Sequence, residues 1–343
     1  MKKYLNTLFV TTQDSYLSKE GETVVVSVEK ETKLQLPIHT IGSIVCFGRV
    51  SISPFLMGFC AKNNVAISFV TEYGNFLASV NGEVSGNVLL RREQYRWADD
   101  KIVCAKITKN ILTGKLVNCK TVLQRALRDH NEKLSDSGME LAVRKLSLSL
   151  DALQKTDDLD VLRGIEGESA TYYFGVFNDL IVTQKGEFQF HERNRRPPLD
   201  NVNCLLSFVY TLLMHDVRAA LESVGLDSCV GFLHRDRPGR HSLALDIMEE
   251  FRPFLADRLV LSLINREQVN GKGFIKSESG AVLMNDETRK TVLVAYQKRK
   301  QEEIEHPYLK ETVQVGLLCY IQALLLARHL RGDLDGYPVF IWK

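Results

Sequence analysis

The sequence predicts an α+β fold: a small N-terminal β domain over residues 1–84, arranged as a sandwich or a roll with one short helix, then a larger all-helical domain over residues 85–343. Three observations predict it. Short β-branched runs bounded by turn residues fill the first region, and the apolar period then lengthens to that of helices. Between the two patterns, Asn81-Gly82-Glu83-Val84-Ser85-Gly86-Asn87 reads as a linker.

In the first region Gly21 to Val28 and Ile41 to Phe47 read as strands, and Val65 to Val70 with Phe76 to Val80 as a hairpin about Tyr73-Gly74-Asn75. Ser53-Pro54-Phe55-Leu56-Met57 reads as a capped short helix, with Pro54 at its first position and Phe55, Leu56, Phe59 and Cys60 at helical spacing. Past the linker, good helix formers predict helices from Leu89 to Thr113, Leu116 to Glu132, Ser137 to Leu153 and Leu159 to Phe177. A polar, proline-containing break at Gly186 to Pro198 follows. Helices resume at Asn201 to Gly225, Ser242 to Arg266 and Glu311 to Leu330. No internal repeat or low-complexity tract is present.

At 343 residues and 45% apolar composition, the chain can bury two cores. Its longest apolar stretches, near Leu205 and Leu317, are interrupted by polar residues, so a membrane span is not expected. Met1-Lys2-Lys3-Tyr4-Leu5-Asn6 lacks the apolar core of a signal peptide, which makes the cytoplasm the expected location. Seven cysteines, scattered singly with no CxxC pair, disfavour a disulfide framework and a zinc cage, and buried thiols are expected. A formal charge of +2 does not by itself indicate a polyanionic partner, because local clusters decide steering.

Two segments carry the chemistry. Glu166, Ala170, Tyr173 and Phe177 fall on one helical stripe, so the carboxylate shares an otherwise apolar face. Turned inward it needs a cation or several donors; near a helix start it is explained by the helix dipole. The second segment is Gly231-Phe232-Leu233-His234, followed by a basic turn and Leu243-Ala244-Leu245-Asp246-Ile247-Met248-Glu249-Glu250-Phe251-Arg252-Pro253. Asp246, Glu249 and Glu250 crowd one side of a helix, where like charges repel unless an arginine such as Arg252 or Arg258 offsets them. A solvated acidic face and a structural histidine are the plain alternatives. Carboxylates with one imidazole form a hard oxygen and nitrogen shell that suits Mn²⁺ or Mg²⁺, and no HExxH is present to support a zinc protease. In a metal-bound reading Glu166, His234 and Glu249 are ligands, and Asp246 is either a partner of a ligand or an alternative ligand.

Taken together, Glu166-Gly167 with Ala170 and Tyr173, then Gly231-Phe232-Leu233-His234, then Ser242 to Pro253, resemble the CRISPR-associated integrase that inserts new spacers. Arg195-Arg196-Pro197-Pro198-Leu199-Asp200-Asn201-Val202-Asn203 resembles that family's lead-in to its central helix. The resemblance implies a metal-dependent endonuclease and integrase of CRISPR adaptation, an antiviral defence. It implies Glu166, His234 and Glu249 as catalytic metal ligands, double-stranded protospacer and repeat DNA as substrates, and joining of 3′-hydroxyl ends by transesterification. It further implies a homodimer formed partly through the β domain, and two dimers bridged by a small ferredoxin-like partner in a heterohexamer.

Arg193, Arg195 and Arg196 before the central helix, and Arg235, Arg237 and Arg240 after His234, suit bidentate phosphate contacts or pairing with nearby acids. Lys298-Arg299-Lys300 before Glu302-Glu303-Ile304-Glu305 reads as a solvated, self-paired helix. Tyr172, Tyr173 and Tyr210 read as core aromatics. Two other functions fit the same residues: a metal-dependent phosphodiesterase or nuclease without strand transfer, and a non-catalytic DNA-binding scaffold.

Overall fold

The computed structural model describes residues 6–63, 65–72, 76–80, 88–129 and 138–342; the expected hairpin turn at Tyr73-Gly74-Asn75 and the linker at 81–87 lie outside the described residues. Two four-stranded sheets form the N-terminal domain. The first has the order β1 (Asn6–Val10), β5 (Ile41–Phe47), β7 (Ala66–Val70), β8 (Phe76–Val80). The second has the order β4 (Glu31–Pro37), β3 (Thr23–Val28), β2 (Ser15–Glu20), β6 (Val50–Ile52). Both sheets contribute to one apolar core, which is the two-sheet member of the pair of arrangements the sequence left open.

Strand β5 runs parallel to both its neighbours and is buried on both faces, which is why it reads as a nearly unbroken apolar run. Its alternate residues separate two cores. Ile44 and Cys46 pack between the sheets with Leu17 and Val24, whereas Val45 and Phe47 join the core of the helical domain. Phe47 meets Phe208 there, with ring centroids 6.1 Å apart. Strands β1, β2, β4 and β6 escape the sequence reading; β4 is exposed along most of its length and so carries no apolar alternation. Helix α1 (Pro54–Lys62) begins as expected, with the Ser53 hydroxyl accepting from the Leu56 N–H at 3.2 Å. Leu56 and Cys60 face the core, but Phe55 points outward and is 85% exposed.

The second domain is mostly helical: α2 (Val88–Asp99), α3 (Lys101–Asp129), α4 (Met139–Gln154), α5 (Leu159–Gly175), α6 (Asn201–Ser223), α7 (Ser242–Met248), α8 (Arg258–Asn265), α9 (Asp286–Gln301) and α10 (Leu318–Leu330). It also carries two small hairpins, β9 (Phe274–Lys276) with β10 (Val282–Met284) and β11 (Glu303–Glu305) with β12 (Thr312–Gln314). The helix break expected near Gly114 falls instead at Asp100, whose carboxylate accepts from the N–H groups of Ile102 and Val103 at 2.8 and 3.2 Å. Gly114 serves packing. A Cβ there would lie 3.2 Å from Val339 Cγ2 and 3.3 Å from Glu250 Cγ, so α3 approaches the core closely at this turn.

Helix α6, capped by Asp200 onto the Asn203 N–H at 2.7 Å, is the central helix. On length and composition it is apolar enough to cross a membrane, but two thirds of its most apolar window is buried against the rest of the protein, as in a core helix. Its Asp216 ties the domains together, accepting from Thr7 Oγ1 at 3.2 Å, Tyr296 OH at 2.8 Å and Lys300 Nζ at 2.8 Å. Lys300 is therefore buried rather than solvated, and Glu303–Glu305 is a strand. Six cysteines are buried, as expected, while Cys229 is exposed.

The predicted helix from Ser242 to Arg266 is broken. After α7 comes a turn at Glu249 to Phe251, then a π-helical stretch Arg252–Asp257 containing Pro253, then α8. Glu250 faces the C-terminal segment, fully buried, and accepts from Tyr337 OH at 2.6 Å, Gln322 Nε2 at 2.9 Å and the Phe340 N–H at 2.7 Å. Burial pushes its carboxyl up to about 7 against the pull of those donors. The folded chain thus holds this proton more tightly than the unfolded chain. The resulting stabilisation is complete below the ordinary glutamate value and is lost as pH rises to about 7. In thermal melts from about pH 5 to pH 8, the Tm of Glu250→Gln should therefore rise relative to wild type as pH increases. A difference that does not vary with pH would contradict this.

Candidate metal centre

Four elements meet at the expected site. Helix α5 brings Glu166, the loop after Val230 brings His234, the end of α7 brings Asp246 and Glu249, and α3 brings Lys115. The three acids that would crowd one helical face in fact diverge, because α7 ends at Met248 and the chain widens into the π-helical stretch. Asp246 turns to the His234 loop, Glu249 to Lys115 and Arg252, and Glu250 to the C-terminal segment. None of the three is solvated: each is at most 1% exposed.

Asp246 is saturated. Its Oδ2 accepts the N–H groups of Phe232 and Leu233 at 2.6 and 3.0 Å; its Oδ1 accepts the His234 N–H at 3.0 Å and meets His234 Nδ1 at 2.6 Å. A carboxylate only accepts, so Nδ1 carries the proton and Nε2 presents its lone pair. Of the two roles left open for Asp246, the geometry fits the partner of the histidine and not the alternative ligand, since its oxygens are already engaged. The glycine that opens Gly-Phe-Leu-His is required here. A Cβ on Gly231 would stand 2.7 Å from Asp246 Oδ2 and 2.8 Å from the carbonyl carbon of Ser242.

Glu249 is held between two cations. Arg252 Nη1 lies 2.7 Å from its Oε1 and Lys115 Nζ lies 2.8 Å from its Oε2. Burial acts to raise its pKa, but the charges of Arg252 and Lys115, then of His234, outweigh this and keep it below the ordinary carboxylate value. Beyond its ion pair with Lys115, Oε2 has no other partner among the described residues. Lys115 also pairs with Glu166 Oε1. Burial opposes its charge, yet Glu249 and Glu166 hold the ammonium above the ordinary lysine value. Arg252 is placed in turn over the Tyr210 ring, 5.1 Å from its centroid. Tyr210 and Tyr173 donate to the buried Asp257 at 2.6 and 3.0 Å; burial raises that carboxyl to about 6. Tyr173 is a core aromatic as expected, Tyr210 packs half-buried against the core, and Tyr172 lies at the surface against Lys145.

Helix α5 is keyed to the histidine loop by Arg163, one turn before Glu166, which donates to the Leu233 carbonyl at 2.8 Å and pairs with Asp160 at 2.8 Å. Lys115 is absent from the sequence reading, although a signal exists. It lies on the buried stripe of α3 with Ile111, Leu112 and Cys119, and a cation on an apolar stripe calls for an anion as surely as Glu166 calls for a cation. Among the described residues no three His, Cys, Asp or Glu side chains are placed to hold an ion as they stand, and Lys115 pairs with both Glu166 and Glu249. The donor set nonetheless fits a hard divalent cation: two carboxylates, one with a buried oxygen whose sole partner among the described residues is Lys115, and an imidazole whose Nε2 is not engaged by Asp246.

The six arginines divide. Arg193 donates to Asn203 Oδ1 at 2.6 Å and Ser207 Oγ at 3.1 Å, packs over Tyr210 and has its charge opposed by burial, so it holds the lead-in to α6 instead of projecting outward. Arg235 pairs with Asp160 at 2.8 Å. The other four come together from two segments: the like charges of Arg237, Arg195 and Arg196 reach Arg240, whose own charge is opposed first by partial burial. Among the described residues none of these four pairs with a carboxylate. Arg195 and Arg196 also line a cavity of about 540 Å³, together with Tyr210, Met248 and Arg252.

A two-sheet β domain backing a helical domain, with carboxylate and imidazole donors next to unpaired guanidinium groups, defines a class of protein equipped to handle phosphodiester backbones. The chain belongs to the family described as CRISPR associated protein Cas1, whose model matches residues 8–298. The CRISPR-associated endonuclease Cas1 1 of Chlorobaculum tepidum is 56% identical over 343 residues, covering 100% of both chains. Among solved structures, a casposase bound to integration product aligns with a TM-score of 0.84 at 21% identity, covering 99% of this chain and 95% of that one. A chain of a Cas6-RT-Cas1–Cas2 complex aligns with a TM-score of 0.81 at 20% identity, covering 100% of this chain and 36% of that one. At such identities the structural likeness shows the fold alone.

Proposed function

We propose that this chain is a metal-dependent DNA endonuclease and integrase of CRISPR adaptation, with Glu166, His234 Nε2 and Glu249 as the ligands of Mn²⁺ or Mg²⁺. The observation that carries the reading is Glu249: fully buried, kept ionised by Arg252 and Lys115, with Lys115 the sole partner of its Oε2 among the described residues, beside a histidine whose Nδ1 is committed to Asp246. When bound, the ion supplies Lewis acidity at a phosphate oxygen. Asp246 keeps the imidazole in the tautomer with Nε2 free. Arg252 steadies Glu249, and Arg195, Arg196, Arg237 and Arg240 hold the DNA backbone. A protospacer 3′-hydroxyl in line with the scissile phosphate forms the new P–O bond as the bond to the repeat strand's 3′-oxygen breaks. The proton passes from the attacking to the leaving oxygen, and the number of phosphodiester bonds is unchanged. Water in place of the hydroxyl gives cleavage.

Support comes from a relative named an endonuclease at 56% identity and from a fold shared with a casposase bound to integration product. A homodimer through the β domain, bridged by a small ferredoxin-like partner, is part of the proposal, and the shared fold with a chain of a Cas1–Cas2 complex supports a Cas partner. In an assay with a supercoiled plasmid carrying a repeat array and labelled duplex ends, wild type with Mn²⁺ should yield covalently joined label. Separate Glu166→Ala, His234→Ala and Glu249→Ala variants should lose at least about 100-fold of that product, and Asp246→Asn about 10 to 100-fold. Cleavage without joined label would favour a plain nuclease. Full activity in the three alanine variants would make the site wrong.

The arginine division has its own test. Replacing Arg195, Arg196, Arg237 and Arg240 by alanine should flatten the plot of log affinity for duplex DNA against log salt by about 0.9 for each phosphate no longer neutralised. Arg235→Ala, whose side chain is engaged by Asp160, should leave that slope nearly unchanged. Equal effects in the two variants would show that the division is wrong.

A further inference from the structure

Two anions and two cations make up the cluster of Glu166, Glu249, Lys115 and Arg252, so its formal charge is balanced. Arg252 is fixed to Glu249 Oε1 at 2.7 Å and backed by the Tyr210 ring, and it cannot be withdrawn without breaking both interactions. Lys115 is different. Its side chain is only 9% exposed, its ammonium lies 2.8 Å from Glu249 Oε2, and its other partner, Glu166, has a side chain 29% exposed and so open to an entering ion. The ammonium sits on a flexible four-carbon stem between the two carboxylates that the proposed ion would need. A divalent cation entering a balanced cluster of low dielectric leaves it with surplus positive charge, and like charges at that range repel strongly.

We propose that Lys115 is a built-in competitor of the metal: its ammonium takes the cation position between Glu166 and Glu249 in the metal-free chain and must swing off for a divalent ion to load. This rests on the proposed metal centre. Two consequences follow from the geometry. Lys115 holds the two carboxylates together without metal, keeping the centre assembled, and it weakens metal affinity by the work of displacing it. Lys115 is thus a positioning residue whose removal strengthens metal binding, the reverse of what loss of a ligand does.

Calorimetric titration of the full chain with Mn²⁺ alone tests this. Lys115→Met should bind Mn²⁺ at least about tenfold more tightly than wild type, Lys115→Arg should not, and Glu166→Ala should abolish the binding. In melts, metal-free Lys115→Met should unfold below wild type, with Mn²⁺ closing the gap. Binding in Lys115→Met that is no tighter than wild type, while Glu166→Ala still abolishes it, overturns the competition and leaves the metal centre standing. Mn²⁺ binding untouched by Glu166→Ala overturns both. A measurement on the wild-type chain guards against a misfolded variant: trace acetylation with acetic anhydride, followed by peptide mass spectrometry. Adding Mn²⁺ should raise Lys115 labelling at least about threefold as the amine leaves the carboxylates, and unchanged or reduced labelling overturns the proposal.

Discussion

The burial of Glu249 is the constraint on which the rest of the second domain depends. A carboxylate this deep needs positive charge close by, and meeting that need specifies the surroundings. Lys115 must come from a helix that approaches closely, which Gly114 permits by leaving room for Glu250 and Val339. Arg252 must follow Glu249 within one turn yet reach its other oxygen, which the π-helical stretch allows. Glu166 then shares Lys115 and is held in register by Arg163 on the Leu233 carbonyl. The histidine loop is closed by an equivalent arrangement in which Asp246 collects four N–H groups from three consecutive residues.

Much of this is legible in the sequence, and what is not has identifiable causes. The change from short β-branched runs to helical period locates the passage from N-terminal strands to the mostly helical region, and the position of Glu166 on an apolar stripe flags a carboxylate that needs company. The spacing of Asp246, Glu249 and Glu250 places all three on one side of an ideal helix. Pro253 and the turn before it break that geometry, and the acids separate into three different environments. Ending one predicted helix at Thr113 and starting the next at Leu116 puts a boundary beside Lys115 and hides it. Gly114 is small because α3 is crowded there, a property of tertiary packing that no local pattern records. Strand β4 escapes for the opposite reason, since an exposed edge strand carries no apolar alternation to detect.

The two domains are not merely tethered. Val45 and Phe47 deliver one face of β5 to the helical core, and Asp216 on α6 gathers Thr7, Tyr296 and Lys300 from both sides of the junction. The central helix therefore meets the β domain at one level and, through Tyr210, braces Arg252 at another. Of the three candidate ligands Glu166 and His234 are partly exposed, while Glu249 stays enclosed. The proposed cation site, with one enclosed and two accessible donors, is suited to a substrate that arrives with its own phosphate.

Crystals of the full chain grown with Mn²⁺ and measured at the manganese absorption edge would test the central claim most directly. The account predicts one anomalous peak about 2.1 Å from Glu166, His234 Nε2 and Glu249 Oε2, with the Lys115 side chain withdrawn from between the carboxylates. A map with no peak there, and Lys115 still bridging Glu166 and Glu249 at saturating Mn²⁺, would contradict it.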